Sequence, residues 1–119
     1  MRRKAGVLLP IEVSILAAAM ELRLHGDGEF HGFGIARAIQ DRENARRLTA
    51  HGTLYKALER MERAGLFASR WEDADIAADA GRPRRRLYQV TGVGELALYA
   101  ALRDEAQATL RPSLDGLPQ

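Results

Sequence analysis

Residues 49–71, T-A-H-G-T-L-Y-K-A-L-E-R-M-E-R-A-G-L-F-A-S-R-W, decide how this chain folds. Thr49 can cap a helix by accepting a hydrogen bond from a free amide of the first turn, and Gly65 can end it in the left-handed conformation. The segment between them is one helix of about four turns. Leu54, Leu58 and Met61 recur at the spacing of one face, with Ala57 and Ala64 beside them, while Lys56, Arg60 and Arg63 recur at the same spacing on another. The helix thus has an apolar stripe and a cationic stripe. Taken alone, the cationic stripe suits a solvated surface helix as well as one that meets a polyanion.

Upstream, Arg2, Arg3 and Lys4 form a short basic arm. Pro10 suits a first helical turn, and Ile11, Ile15, Ala18, Ala19 and Leu22 repeat at helical spacing to about Leu24. This helix is apolar nearly all round and is expected at the centre. His25-Gly26-Asp27-Gly28 reads as a turn. A second, shorter helix is expected from about His31 to Arg42, with Ile35 and Ile39 a turn apart, and the polar segment Asp41 to Arg47 leads to the next helix. Three helices with short links make a helix-turn-helix bundle.

Downstream the period changes. Leu66 to Trp71 reads as a strand, Glu72 to Ala80 as an acidic, alanine-rich loop, Gly81-Arg82-Pro83 as a turn, and Arg86 to Val90 as a second strand. Such a hairpin directly behind the third helix is a wing. Thr91 then caps a final helix with Leu96, Tyr99 and Leu102 on one side, and Leu98, Ala106 and Leu110 widen its apolar face before Pro112 ends it. A core this small cannot cover both the first helix and that face, and a second copy of the chain is the expected cover. The fold class is therefore mainly α with a small β-hairpin. Residues 1–90 form a winged helix-turn-helix, 91–112 a C-terminal dimerisation helix and 113–119 a tail.

The chain has 119 residues, of which 46% are apolar and 29% charged, as in one ordinary globular domain. No run reaches the roughly 18 uncharged apolar residues of a membrane span. The basic start is not followed by a clean apolar region with a small-residue cleavage site, so a cytoplasmic protein is expected. The absence of cysteine removes disulfides, thiolate catalysis and sulfur-ligated metal together. A net charge of +2 says little about a polyanionic partner, but the cations gather at the amino terminus, along Lys56 to Arg63, and at Arg82, Arg84, Arg85 and Arg86. Arginine presents a planar fork of donors suited to phosphates and guanine edges. No Ser-His-Asp, paired-carboxylate or phosphate-loop arrangement is recognisable, so neither an enzyme nor a cofactor is expected.

Several elements together resemble the PadR-like transcriptional regulators. They are Leu24 to Ile35 with its His31-Gly32-Phe33, then Gly52-Thr53-Leu54-Tyr55, Leu58, Met61-Glu62, Gly65-Leu66, Ser69 and Trp71, and finally Gly81-Arg82-Pro83-Arg84 leading into Leu87-Tyr88-Gln89-Val90-Thr91. The likeness covers about residues 8 to 100, and the two glycine-led elements at this separation give it its specificity. It implies a winged helix-turn-helix, a homodimer made through the carboxy-terminal helix, and repression by operator binding that a small molecule relieves. The chain departs from the pattern at Glu29-Phe30, Gly34, Lys56 and Arg86, and its only tryptophan, Trp71, lies outside the last helix.

A helix in the major groove reads bases with its amino-terminal residues and touches phosphate along its flanks. His51, Thr53 and Lys56 are then nearest the base edges, with Tyr55 and Arg60 at sugar and phosphate. Each has a plainer reading: Tyr55 can pack on the second helix, and Arg60 and Arg63 can pair with Glu59 or Glu62. In the wing, Arg82, Arg84 and Arg85 are expected on the backbone or in a minor groove. An effector pocket is expected between the first and last helices, near Leu16, Met20, Leu98 and Tyr99. His25, Asp27, Glu29 and His31 alternate like metal ligands, but the glycines among them favour a simple turn, and no metal is expected. Two rivals are a winged helix docking on an acidic protein and a metal-responsive regulator.

Overall fold

The computed structural model describes residues 7–43 and 51–110. The Thr49 cap, the basic arm, the link at 44–47 and the Pro112 stop lie outside the described residues. Among the described residues the elements follow in order: α1 (Pro10–Leu24), α2 (Gly32–Glu43), α3 (His51–Arg63), β1 (Phe67–Trp71), α4 (Ala74–Asp79), β2 (Arg86–Val90) and α5 (Gly92–Leu110). The structure is mainly helical with a two-stranded antiparallel hairpin.

Helix α1 begins on Pro10. Leu9, ahead of it, has no capping side chain, and the Glu12 carboxylate reaches back to accept the Leu9 N–H at 2.8 Å. Ile15, Leu16, Ala18 and Ala19 are buried, and α1 packs against α2, α3, α5 and β2. It is the central helix, as its all-round apolar pattern predicts. Helix α2 is capped by a histidine, since the Gly34 N–H donates to His31 Nδ1 at 3.2 Å. Just before it, Phe30 exchanges two backbone hydrogen bonds with Tyr88, at 3.0 and 2.7 Å, and so adds a single-residue rung to the hairpin. The Phe30, Phe67 and Tyr88 rings meet with centroids 5.5 to 6.3 Å apart. The segment expected only to turn thus also anchors the wing to the core.

Leu54, Ala57, Leu58 and Met61 of α3 are buried, as the apolar stripe requires, but Ala64 is exposed in the turn beyond the helix. Gly65 adopts φ 82°, with its N–H on the Glu62 carbonyl and the Leu66 N–H on that of Met61. This pair of reversed bonds is the glycine-led helix stop. Leu66 is used up in it, so β1 starts at Phe67, one residue later than expected. The register pairs Phe67 with Val90, Ser69 with Tyr88 and Trp71 with Arg86.

The stretch from Glu72 to Ala80 is not simply a loop. Its alanines and Ile76 form α4, closed by Gly81 at φ 69°, with Ala77 turned inward. Thr91 caps α5 as expected by accepting the Gly94 N–H at 3.0 Å, and its hydroxyl donates to the Gly65 carbonyl at 2.6 Å. That staples the start of α5 to the end of α3. Leu98 is buried against the core, whereas residues 102–108 are all exposed.

Candidate nucleic-acid interface

On α3 the outward side chains are Thr53, Tyr55, Lys56, Glu59 and Arg63. His51 opens the helix, and its side chain lies outside the described residues. The cations of the predicted stripe have separate fates. Lys56 is exposed, with no carboxylate in ion-pair range among the described residues. Arg63 pairs with Glu59 at 2.6 Å, an exposed ion pair one turn away. Arg60, expected at sugar and phosphate, turns inward instead: its Nε donates to Glu12 Oε2 at 2.9 Å, and Glu12 is fully buried. A buried carboxylate holds a cation far more firmly than an exposed one does, because it has surrendered its water. Arg60 is therefore a brace between α3 and α1.

Tyr55 packs on the second helix and also shows a surface. A Cβ placed on Gly32 would stand 2.5 Å from its Cε1, so the ring lies over the glycine that opens α2. The residue nevertheless keeps 43% of its surface exposed. Glycine at 32 lets α2 and α3 approach closely at the outward side of the pair.

In the wing the organiser is Glu72. Arg82 grips its carboxylate with two parallel hydrogen bonds of 2.5 and 2.9 Å, the Arg85 N–H points at the same carboxylate at 3.4 Å, and Arg84 Nε donates to the Glu72 carbonyl at 2.8 Å. The Arg82 guanidinium holds the Glu72 carboxyl down at about 2. Arg82, expected to touch DNA, is accordingly spent on shaping the wing. Arg84 and Arg85 have no carboxylate partner for their guanidinium groups among the described residues. His31 is kept below its ordinary range by burial first and by the nearby Arg85 and Arg82 charges next, which keeps its ring neutral as a cap.

Arg37 is a residue the sequence reading did not single out. It is an exposed cation of α2, opposite Ile35 and Ile39, and has no partner among the described residues. Its position opposite the apolar spacing was the available signal.

The expected effector residues do not gather. Leu16 and Leu98 belong to the core, Met20 packs beside it, and the exposed Tyr99 donates its hydroxyl to Glu95, itself paired with Arg23. An open groove of about 680 Å³ does lie between α1 and α5, but it is lined by other residues, among them Val13, Ala17, Ala97, Ala101 and Leu102. The four possible metal ligands also diverge. His25 Nδ1 lies 2.8 Å from the Glu21 carbonyl, Glu29 makes a two-bond pair with Arg70, and His31 caps α2. Among the described residues no three such groups converge.

Comparison with known proteins adds to this geometry. The model of the transcriptional regulator PadR-like family matches residues 22–100. No curated protein matches. Among solved structures, the chain is similar to a PadR family transcription regulator from Clostridium difficile, with 26% identity, a TM-score of 0.59, and coverage of 89% of this chain and 98% of that one. It is also similar to a PadR-like transcriptional regulator from Bacillus cereus, with 16% identity, a TM-score of 0.63, and coverage of 92% and 93%. A transcriptional regulator from Clostridium thermocellum is 19% identical, with a TM-score of 0.61 and coverage of 92% and 90%.

Proposed function

The chain belongs to the PadR-like family of transcriptional regulators, and from that premise we propose that it is a cytoplasmic, dimeric repressor that binds an operator through α3 and the wing. The observation that carries the reading is the division among its cations. Arg60, Arg63 and Arg82 are neutralised by carboxylates, whereas the side-chain charges of Lys56, Arg84 and Arg85 have no carboxylate partner among the described residues. A polyanion is the partner that such unpaired charge on a helix and a wing favours.

In this reading His51, Thr53 and Lys56 face base edges from the first turns of α3, and Tyr55 meets the sugar–phosphate strand. Arg84 and Arg85 supply phosphate affinity from the wing, and Arg37 does so from α2, the helix that crosses the backbone. The band of Leu96 (69% exposed), Tyr99 and Leu102 on α5 is covered by a second copy of the chain. The groove between α1 and α5 has the volume of a small-molecule site, so an effector bound there can relieve repression.

Titrating the protein with the DNA upstream of its own gene and with a random fragment of equal length tests the proposal. Selective binding to the former is expected. Binding to neither, with capture by an acidic protein instead, would favour a protein-docking winged helix.

A further inference from the structure

At the outer end of the hairpin, Trp71 stands opposite Arg86. Alternation along the strands puts this pair on the same face as Ser69 with Tyr88 and Phe67 with Val90. That face looks toward α3, because the Ser69 hydroxyl donates to Glu62 at 2.6 Å. Phe67, Tyr88 and Val90 on it are buried, but Trp71 is 54% exposed. The face therefore runs out of the core and leaves an indole and a guanidinium at the outer end of the hairpin, on the α3 side.

The pair is pre-arranged. The Arg86 guanidinium lies over the Trp71 ring, 5.1 Å from its centroid, and Arg86 Nε donates to Ser69 Oγ at 3.0 Å. Glu62 stands 4.0 Å from Nη2, beyond hydrogen-bond reach. A guanidinium has five N–H donors, and among the described residues the terminal ones of this group make no hydrogen bond, only the long ion pair with Glu62. The indole N–H likewise meets no acceptor among the described residues. An exposed ring stacked with a guanidinium contributes little to folding, yet it offers a flat surface beside a fixed fork of donors. A deoxyribose with its phosphate has the complementary form.

We propose that Trp71 and Arg86 form a sequence-independent contact for the sugar–phosphate strand that passes between α3 and the wing. The sugar rests on the indole, and the phosphate accepts from the terminal nitrogens of Arg86. The inference rests on the DNA-binding reading above and adds a backbone contact to it.

Trp71 is the chain's only tryptophan, so its emission reports this place alone. The test titrates the protein with a labelled mixed-sequence duplex while following duplex anisotropy and Trp71 emission together. Emission is expected to change in step with anisotropy. Arg86→Ala and Trp71→Ala each weaken all duplexes about threefold to tenfold, Arg86→Ala lowers the salt slope by about one, and Trp71→Phe keeps most of the affinity. If a variant unfolds, the wild-type emission and Trp71→Phe decide. Binding with unchanged emission and unchanged affinity in Arg86→Ala overturns the inference and leaves the DNA-binding reading standing. No anisotropy change with any duplex overturns both.

Discussion

Arg60 Nε lies 2.9 Å from Oε2 of Glu12, a carboxylate with no exposed surface, and the contact ties the outward helix α3 to the central helix α1 across 48 residues of sequence. The other oxygen of Glu12 caps α1 through the Leu9 N–H. One side chain thus sets both the start of the central helix and the angle of the helix proposed to read DNA.

Arg60→Ala removes that cation from beside a buried carboxylate and is expected to cost about 3 kcal/mol, the low end for a broken buried pair because Arg60 is partly solvated. Chemical denaturation measures it. If stability is unchanged while the salt slope of DNA binding falls by about one, Arg60 is a phosphate contact and not a brace.

Glu72 titrates at about 2 in the folded chain, against an ordinary 4.5, because Arg82 favours its charged form. A carboxyl whose folded value is depressed contributes stability above the ordinary value and loses it as pH falls toward the folded one. The wing is therefore expected to loosen between about pH 4.5 and 2. Glu72→Gln should weaken the chain at neutral pH and flatten that part of the acid limb in an unfolding series. An identical acid limb in the variant would remove Glu72 from its account.

Gly94 sits where the first turn of α5 meets the link between α3 and β1, and a Cβ there would overlap the Leu66 carbonyl oxygen, a main-chain atom that cannot swing aside. Gly94→Ala is expected to destabilise by about 1–3 kcal/mol, as overpacking does. Gly92→Ala, at the first position of the same helix, meets open space and should be neutral or slightly stabilising. Equal melting temperatures for the two variants would contradict the close approach at Leu66.

Thr53→Ala and Lys56→Ala should relax the choice among duplex sequences, whereas Arg84→Ala and Arg85→Ala should weaken all duplexes about equally. Selection from a randomised duplex pool, repeated with each variant, distinguishes the two effects. The reverse pattern would mean that α3 and the wing have exchanged roles.

Elements were legible in the sequence where their signals are local. Pro10, the Gly65 stop and the Thr91 cap act within a few residues, and each stands where its chemistry placed it. The six-residue α4 was not legible, since its alanines and acidic residues suit a loop equally well without the inward Ala77 to decide. Long-range pairings were hidden for a different reason. Nothing near Arg60 announces Glu12, and the ten-position separation of Glu72 and Arg82 conceals that the acidic segment holds one wing arginine by its guanidinium while leaving two without a carboxylate partner among the described residues. The α1–α5 groove followed from burial logic, but its lining did not, because helical spacing alone cannot separate Leu16 and Leu98 in the core from Val13 and Ala101 at the groove.

The account stands most directly on how duplex affinity responds to salt. A plot of log affinity against log salt concentration should fall steeply for the wild-type protein, and its slope should lessen by about one for each of Lys56→Ala, Arg84→Ala and Arg85→Ala. A flat plot, or slopes that these substitutions leave unchanged, would show that the unpaired cations of α3 and the wing do not meet phosphate.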